Sequence, residues 1–164
     1  MALKPARNYQ GPVTDIHWFM NVVGNRGGCV VKSLAGSGDA LDQSAQLVTY
    51  AIPTSGAKAI GILLNDMVDI DQTRQHKNFY KDEVVLGSKV TILRRGVVNT
   101  DQITSGVTVD GGDPCYLDAG NTTANGRLTN VLHPTGGEAV TPQIGQFISH
   151  KDEDGYASVE DNLP

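Results

Sequence analysis

From Ser88 to Asp161 the chain alternates short β-prone runs with glycine-bearing turns: SKVTILRRGVV, then DGGDPCYLDAGNTTANGRLTNV, then PQIGQFISHKDEDGYASVED. Runs of that length, rich in Val, Ile, Leu and Tyr and separated by turn signals, specify short strands in a sandwich or barrel. Asn125-Gly126, between Cys115–Asp118 and Arg127–Leu132, suits a type I′ hairpin turn, and Asp154-Gly155, between Ile144–His150 and Tyr156–Glu160, can do the same. Gly96 interrupts an otherwise strand-like run from Lys89, which predicts a bulge or a sharp corner.

Further candidate strands lie upstream at Gly28–Ser33, Gln46–Ile52 and Lys58–Asn65, bounded by AGSGD and PTSG. Lys58-Ala-Ile-Gly61 and Pro142-Gln-Ile-Gly145 both place glycine after Ile inside a strand, too faint an echo to count as a repeat. No window carries the 3.6-residue apolar period of an amphipathic helix. The fold class expected is all-β: a small barrel or sandwich of short strands with an extended N-terminal arm.

Two segments depart from this rhythm. In residues 1–23, Pro5, Gly11 and Pro12 break regular structure before the apolar patch Ile16-His17-Trp18-Phe19-Met20, which holds the only Trp. Fully stretched, such a segment spans roughly 70 Å, against a radius of gyration of about 15 Å for a compact chain of this size. Residues 1–23 are therefore expected as an arm reaching past a domain of residues 24–164, although residues 13–23 equally suit a first strand folded into the core. Residues 66–83, DMVDIDQTRQHKNFYKDE, are polar, of mixed charge and without apolar period, and read as an insertion loop of the functional kind.

At 164 residues the chain is one domain's worth and can bury its own core. Thirteen Lys and Arg against 18 Asp and Glu give a net charge of −5, and Arg94-Arg95 is the one local basic cluster. Nucleic acid is disfavoured as a partner, because phosphate binding needs cations to displace counterions. No apolar run approaches the ~20 residues of a membrane-spanning helix, and the first residues lack the apolar stretch of a secretory signal. The expectation is a protein made in the cytoplasm with no membrane partner.

Chemistry-bearing motifs are sparse. His17, His76, His133 and His150 are dispersed, with no spacing that presents two imidazoles to one metal. Asp66-Asp69-Asp71 and Asp152-Glu153-Asp154 supply fewer oxygens than the six to eight of a calcium shell. Asp110-Gly-Gly-Asp113 reads as turn chemistry. Cys29 and Cys115 are too few for a disulfide scaffold and read as small apolar side chains. No nucleophile elbow or phosphate-cradling loop is present. Neither an enzyme nor a required metal or cofactor is expected, which disfavours a small hydrolase of unfamiliar β-fold.

The order of the runs resembles the small β-domain cement, or decoration, proteins of tailed-phage heads. Gly28-Cys-Val-Val-Lys32 followed by GSGDALDQSA resembles the family's opening, and Ala59-Ile-Gly-Ile-Leu63 one of its glycine-bearing strands. Gly87-Ser-Lys-Val-Thr-Ile92 with Gly96-Val-Val98, Gly112-Asp-Pro-Cys-Tyr-Leu-Asp118 and Gly126-Arg-Leu-Thr129 resemble its middle strands. Ile144-Gly-Gln-Phe147, Asp154-Gly155 and Ala157-Ser-Val159 resemble its closing hairpin. The resemblance covers about residues 28–160; the long arm, the long 66–83 insertion and the polar ending Glu160-Asp161-Asn162 depart from it. It implies a non-enzymatic protein on the capsid exterior that binds the major capsid lattice and stabilises the head. A homotrimer is expected separately, from a low-aromatic core and an arm whose Trp18, Phe19 and Met20 are costly to leave exposed, and a closed ring suits a symmetry axis. Candidate capsid or subunit contacts are Ile16, Trp18, Phe19 and Met20 on the arm and Arg74, His76, Phe79 and Tyr80 on the insertion. The alternative is a carbohydrate-binding or host-adhesion β-module of a fibre or surface appendage.

Overall fold

A computed structural model of the chain describes residues 3–4, 12–32, 46–50, 59–66, 83–84, 86–118, 126–132 and 143–163. The described residues are all-β and contain no helix, and their centre is a closed five-stranded barrel. In chain order the barrel strands are β2 (Val13–Met20), β4 (Cys29–Lys32), β5 (Gln46–Thr49), β6 (Ala59–Asp66) and the first half of β8 (Lys89–Thr100). The ring runs β8-β2-β5-β4-β6 and closes by pairing β6 back onto β8. Every neighbour is antiparallel except β2 and β5, which run parallel with Trp18 opposite Gln46 and Met20 opposite Val48.

β8 is the spine that joins the barrel to a second layer. Its first half pairs with β2 and β6 inside the ring, from Lys89 to Arg95 on one edge and Val90 to Leu93 on the other. Past Gly96 the edge that β6 leaves is taken by β12 (Ala157–Asn162), in unbroken register from Asn162 opposite Arg95 to Ala157 opposite Thr100. The sheet continues outward through β11 (Gln143–Phe147), β9 (Pro114–Leu117) and β10 (Leu128–Thr129). On the other edge β1 (Leu3–Lys4) pairs with Asn99 and Thr100. Gly96 has φ 145°, a region that side-chain-bearing residues rarely adopt, and it stands where β8 turns from barrel to sheet.

Two apolar clusters fill this layout. Trp18, Met20, Val30, Val48, Tyr50, Leu63, Val84, Val90 and Ile92 pack together as the barrel interior. Cys29, Val31, Ile62 and Leu93 point to the opposite face and pack with Val98, Cys115, Leu117, Leu128, Ile144, Phe147 and Val159 between barrel and sheet. β4, β6 and β8 are thus buried on both faces, which is why they read as continuous apolar runs such as CVV and ILL. A small two-stranded ladder, β3 (Gly24–Asn25) with β7 (Glu83–Val84), lies apart from the main sheet in pairing and places Val84 in the interior cluster.

The hairpins follow the turn chemistry. β9 and β10 pair antiparallel, with Gly126 at φ 63° just before β10, while Asn125 of the expected turn lies outside the described residues; β11 and β12 pair across Lys151–Gly155 with Gly155 at φ 86°. Asp152 closes that second turn by accepting the amides of Asp154 and Tyr156 on Oδ1 at 3.0 and 2.7 Å. At Asp110–Asp113 the carboxylate of Asp113 accepts the Asp110 amide and the Asn130 side chain, so these acids form a turn as expected.

One expectation needs correcting. Residues 13–20 are not part of a free arm: Val13–Met20 is a wall of the barrel, and no domain boundary falls at residue 23. The physical reason is that Trp18 and Met20 enter the interior cluster, and full burial of such side chains is worth roughly 1.5–3 kcal/mol each. The insertion expected at 66–83 begins at the end of β6 and ends at β7, but its residues 67–82 lie outside the described residues.

Candidate interaction surface

The eight contact residues expected from the sequence have unequal fates. Trp18 and Met20 belong to the barrel interior and present no apolar face to a partner, which corrects their assignment as contacts. Phe19, next in register, is half-buried with the Lys89 ammonium 6.0 Å from its ring centroid, a cation–π arrangement on the barrel wall. Ile16 is 40% exposed, and Val13 on the same strand is 52% exposed. Arg74, His76, Phe79 and Tyr80 lie outside the described residues.

Ile16 is exposed because β2 bulges. The register with β8 shifts between Asp15 and Trp18, so Ile16 and His17 have no direct partner on β8. Such a bulge re-aims side chains that regular pleating would turn inward. Asp15 holds the distorted segment together. Its Oδ1 accepts the His17 backbone amide at 3.0 Å and meets His17 Nδ1 at 2.7 Å, while Oδ2 accepts the Trp18 indole N–H at 3.0 Å. Arg94 approaches the same Oδ2 at 3.9 Å from β8. Burial pushes the Asp15 pKa up, but the His17 and Trp18 hydrogen bonds outweigh it and hold the carboxyl below its ordinary value. The ionised carboxylate thereby fixes the His17 ring by its Nδ1 and leaves Nε2 outward on a side chain that is 87% exposed. Val13, Ile16 and His17 are all exposed along this strand of the barrel.

A second feature lies on the outer face of the sheet layer. A cleft of about 350 Å³ is lined by Gly112, Pro114, Gln143, Gly145, Gln146, Glu160 and Asn162. Pro114, Gln146 and Glu160 are direct cross-strand neighbours in one row over β9, β11 and β12. A Cβ on Gly145 would stand 1.8 Å from the Glu160 carbonyl oxygen, so only glycine fits, and its bare backbone forms the floor. Gly61 has the same cause: its Cβ would meet the Leu93 carbonyl oxygen at 2.1 Å. The faint Ile-Gly echo in the sequence therefore marks two places where neighbouring strands approach unusually closely.

Among the described residues no three His, Cys, Asp or Glu side chains gather as a metal ion would require. Cys29 and Cys115 are free and buried, and burial, with Asp161 nearby, pushes both thiols up. Asp161, on β12, is fully buried, with Oδ1 accepting the Leu163 amide at 3.2 Å and Oδ2 without a hydrogen-bond partner among the described residues. Burial raises its pKa to about 7, against the opposing pull of the Leu163 and Ile62 amides and Arg94. Neither the bulge patch nor the cleft was marked as such in the sequence; Ile16 alone was picked out. Compared with protein-family models and with curated proteins, the chain matches none.

Proposed function

We propose that this chain is a virion structural protein of the cement class, which binds the outer surface of a major capsid lattice and stabilises the head. The observation that carries the proposal is the bulge of β2: Val13 and Ile16 stand exposed on a strand built into the barrel wall, with His17 clamped beside them by Asp15. A partner meets this surface already formed, so little conformational entropy is lost on docking. That suits a protein repeated over many equivalent sites, where modest contacts gain strength through effective concentration.

The order of strands and turns supports the same reading through its resemblance to the cement proteins. Assembly as a homotrimer on a local symmetry axis belongs to the proposal, since closed rings match the symmetry of a lattice target. Arg74, His76, Phe79 and Tyr80 stay in it as contacts argued from the sequence alone. Mass spectrometry of purified virions, with surface labelling by an antibody in electron microscopy, tests the assignment. The expected result is the chain in stoichiometric amount on the outside of the head. Its absence from virions, or its presence only on a tail fibre, overturns the assignment.

A further inference from the structure

We infer that the cleft on the outer sheet face is a binding site for a guanidinium group, presented as an arginine side chain by a partner protein. This does not rest on the capsid reading; it follows from what the cleft offers a ligand. Two of its amide side chains each commit one N–H to the backbone. Gln146 Nε2 donates to the Gly112 carbonyl at 2.9 Å, and Gln143 Nε2 donates to the Gly145 carbonyl at 3.3 Å. With the amide nitrogens turned to the backbone, both Oε1 atoms are left as acceptors. Glu160, directly across β11 from Gln146, adds a carboxylate.

The result is a group of amide side chains beside one formal negative charge, with no Lys or Arg among the described lining residues. Arg95, across β8 from Asn162, is not among the lining residues. A sugar hydroxyl can use the remaining amide N–H groups of Gln143, Gln146 and Asn162, but it brings no positive charge to Glu160. A guanidinium carries five donors in a planar fork and no acceptor, and it matches a carboxylate with a neighbouring carbonyl oxygen. Pro114, in the same row, offers an apolar wall for the side chain's stem or the flat face of its head. Opposite side chains in such a row stand about 5 Å apart, a spacing that lets one fork bridge Gln146 and Glu160.

The test is a titration of the isotope-labelled protein with N-acetyl-arginine methylamide, followed by backbone and side-chain amide shifts. The lysine analogue and a neutral disaccharide run in parallel arms. Saturable shifts confined to Gly112, Gly145 and the side-chain amides of Gln143 and Gln146 are expected with the arginine compound. Glu160→Gln, a change at an exposed position, should melt like the parent and bind about fivefold more weakly, as for loss of one solvent-exposed charge pair. Equal binding of the lysine analogue overturns the guanidinium assignment. Binding of the disaccharide alone, shifts scattered away from the cleft, or an unchanged affinity in Glu160→Gln overturns the inference as well.

Discussion

The ring of Tyr50 stands so close to Gly126 that a methyl group on that glycine would lie 2.2 Å from Tyr50 Cδ1. Gly24 and Gly28 face the same ring, where added Cβ atoms would meet it at 2.0 and 3.0 Å, and the Tyr50 hydroxyl donates to the Asn25 carbonyl. Tyr50 thus closes the barrel interior beneath backbone that carries no side chains. Gly126→Ala should destabilise the protein by about 2–5 kcal/mol, combining overpacking with the left-handed φ at that position. A fall in Tm on the order of 10 °C is expected in a thermal melt. Combining it with Tyr50→Leu should cost less than the sum of the single changes, because removing the ring relieves the clash. Strict additivity would contradict this packing.

Asp161 makes stability depend on pH. Its folded-state pKa is about 7 against an ordinary value of 3.8, so the folded chain holds the proton more tightly than the unfolded one. Its contribution is fully present below the ordinary value, is lost as pH rises to about 7, and is flat beyond. The span amounts to about 4 kcal/mol. Asp161→Asn should flatten that slope and raise stability at pH 8, as read by urea unfolding across pH 4–8. An equal slope in both proteins would show that another group causes it.

The thiols of Cys29 and Cys115 are buried and held protonated at neutral pH. A thiol-specific reagent should label neither in the native protein within the time that labels both in urea, since the thiolate is the reactive species. Prompt native labelling of either cysteine would contradict their place between barrel and sheet.

The parts of this fold most legible in the sequence were those written in local chemistry. Apolar runs and the Asp154-Gly155 turn place β9 to β12 within a few residues, because turn geometry depends on residues like Gly155 themselves. β2 was harder to read. Asp15 and His17 break its alternation, and only the folded bulge shows the carboxylate binding His17 and Trp18 so that Trp18 turns inward. The cleft was not legible at all, since Pro114, Gln146 and Glu160 meet through the register of three strands far apart in the chain. Barrel closure likewise depends on the parallel pairing of β2 with β5, which no local signal marks.

The most direct test of the account is saturation binding of the purified protein to assembled, undecorated capsid shells, comparing the parent with Ile16→Asp. Ile16 is exposed on the bulge and makes no contribution to either core cluster, so the variant should keep its Tm. Saturable binding by the parent is expected, with at least about tenfold weaker binding by Ile16→Asp, the loss expected for a contact residue near the centre of an interface. Binding of Ile16→Asp at the parent's affinity would contradict the claim that the β2 bulge is the docking surface.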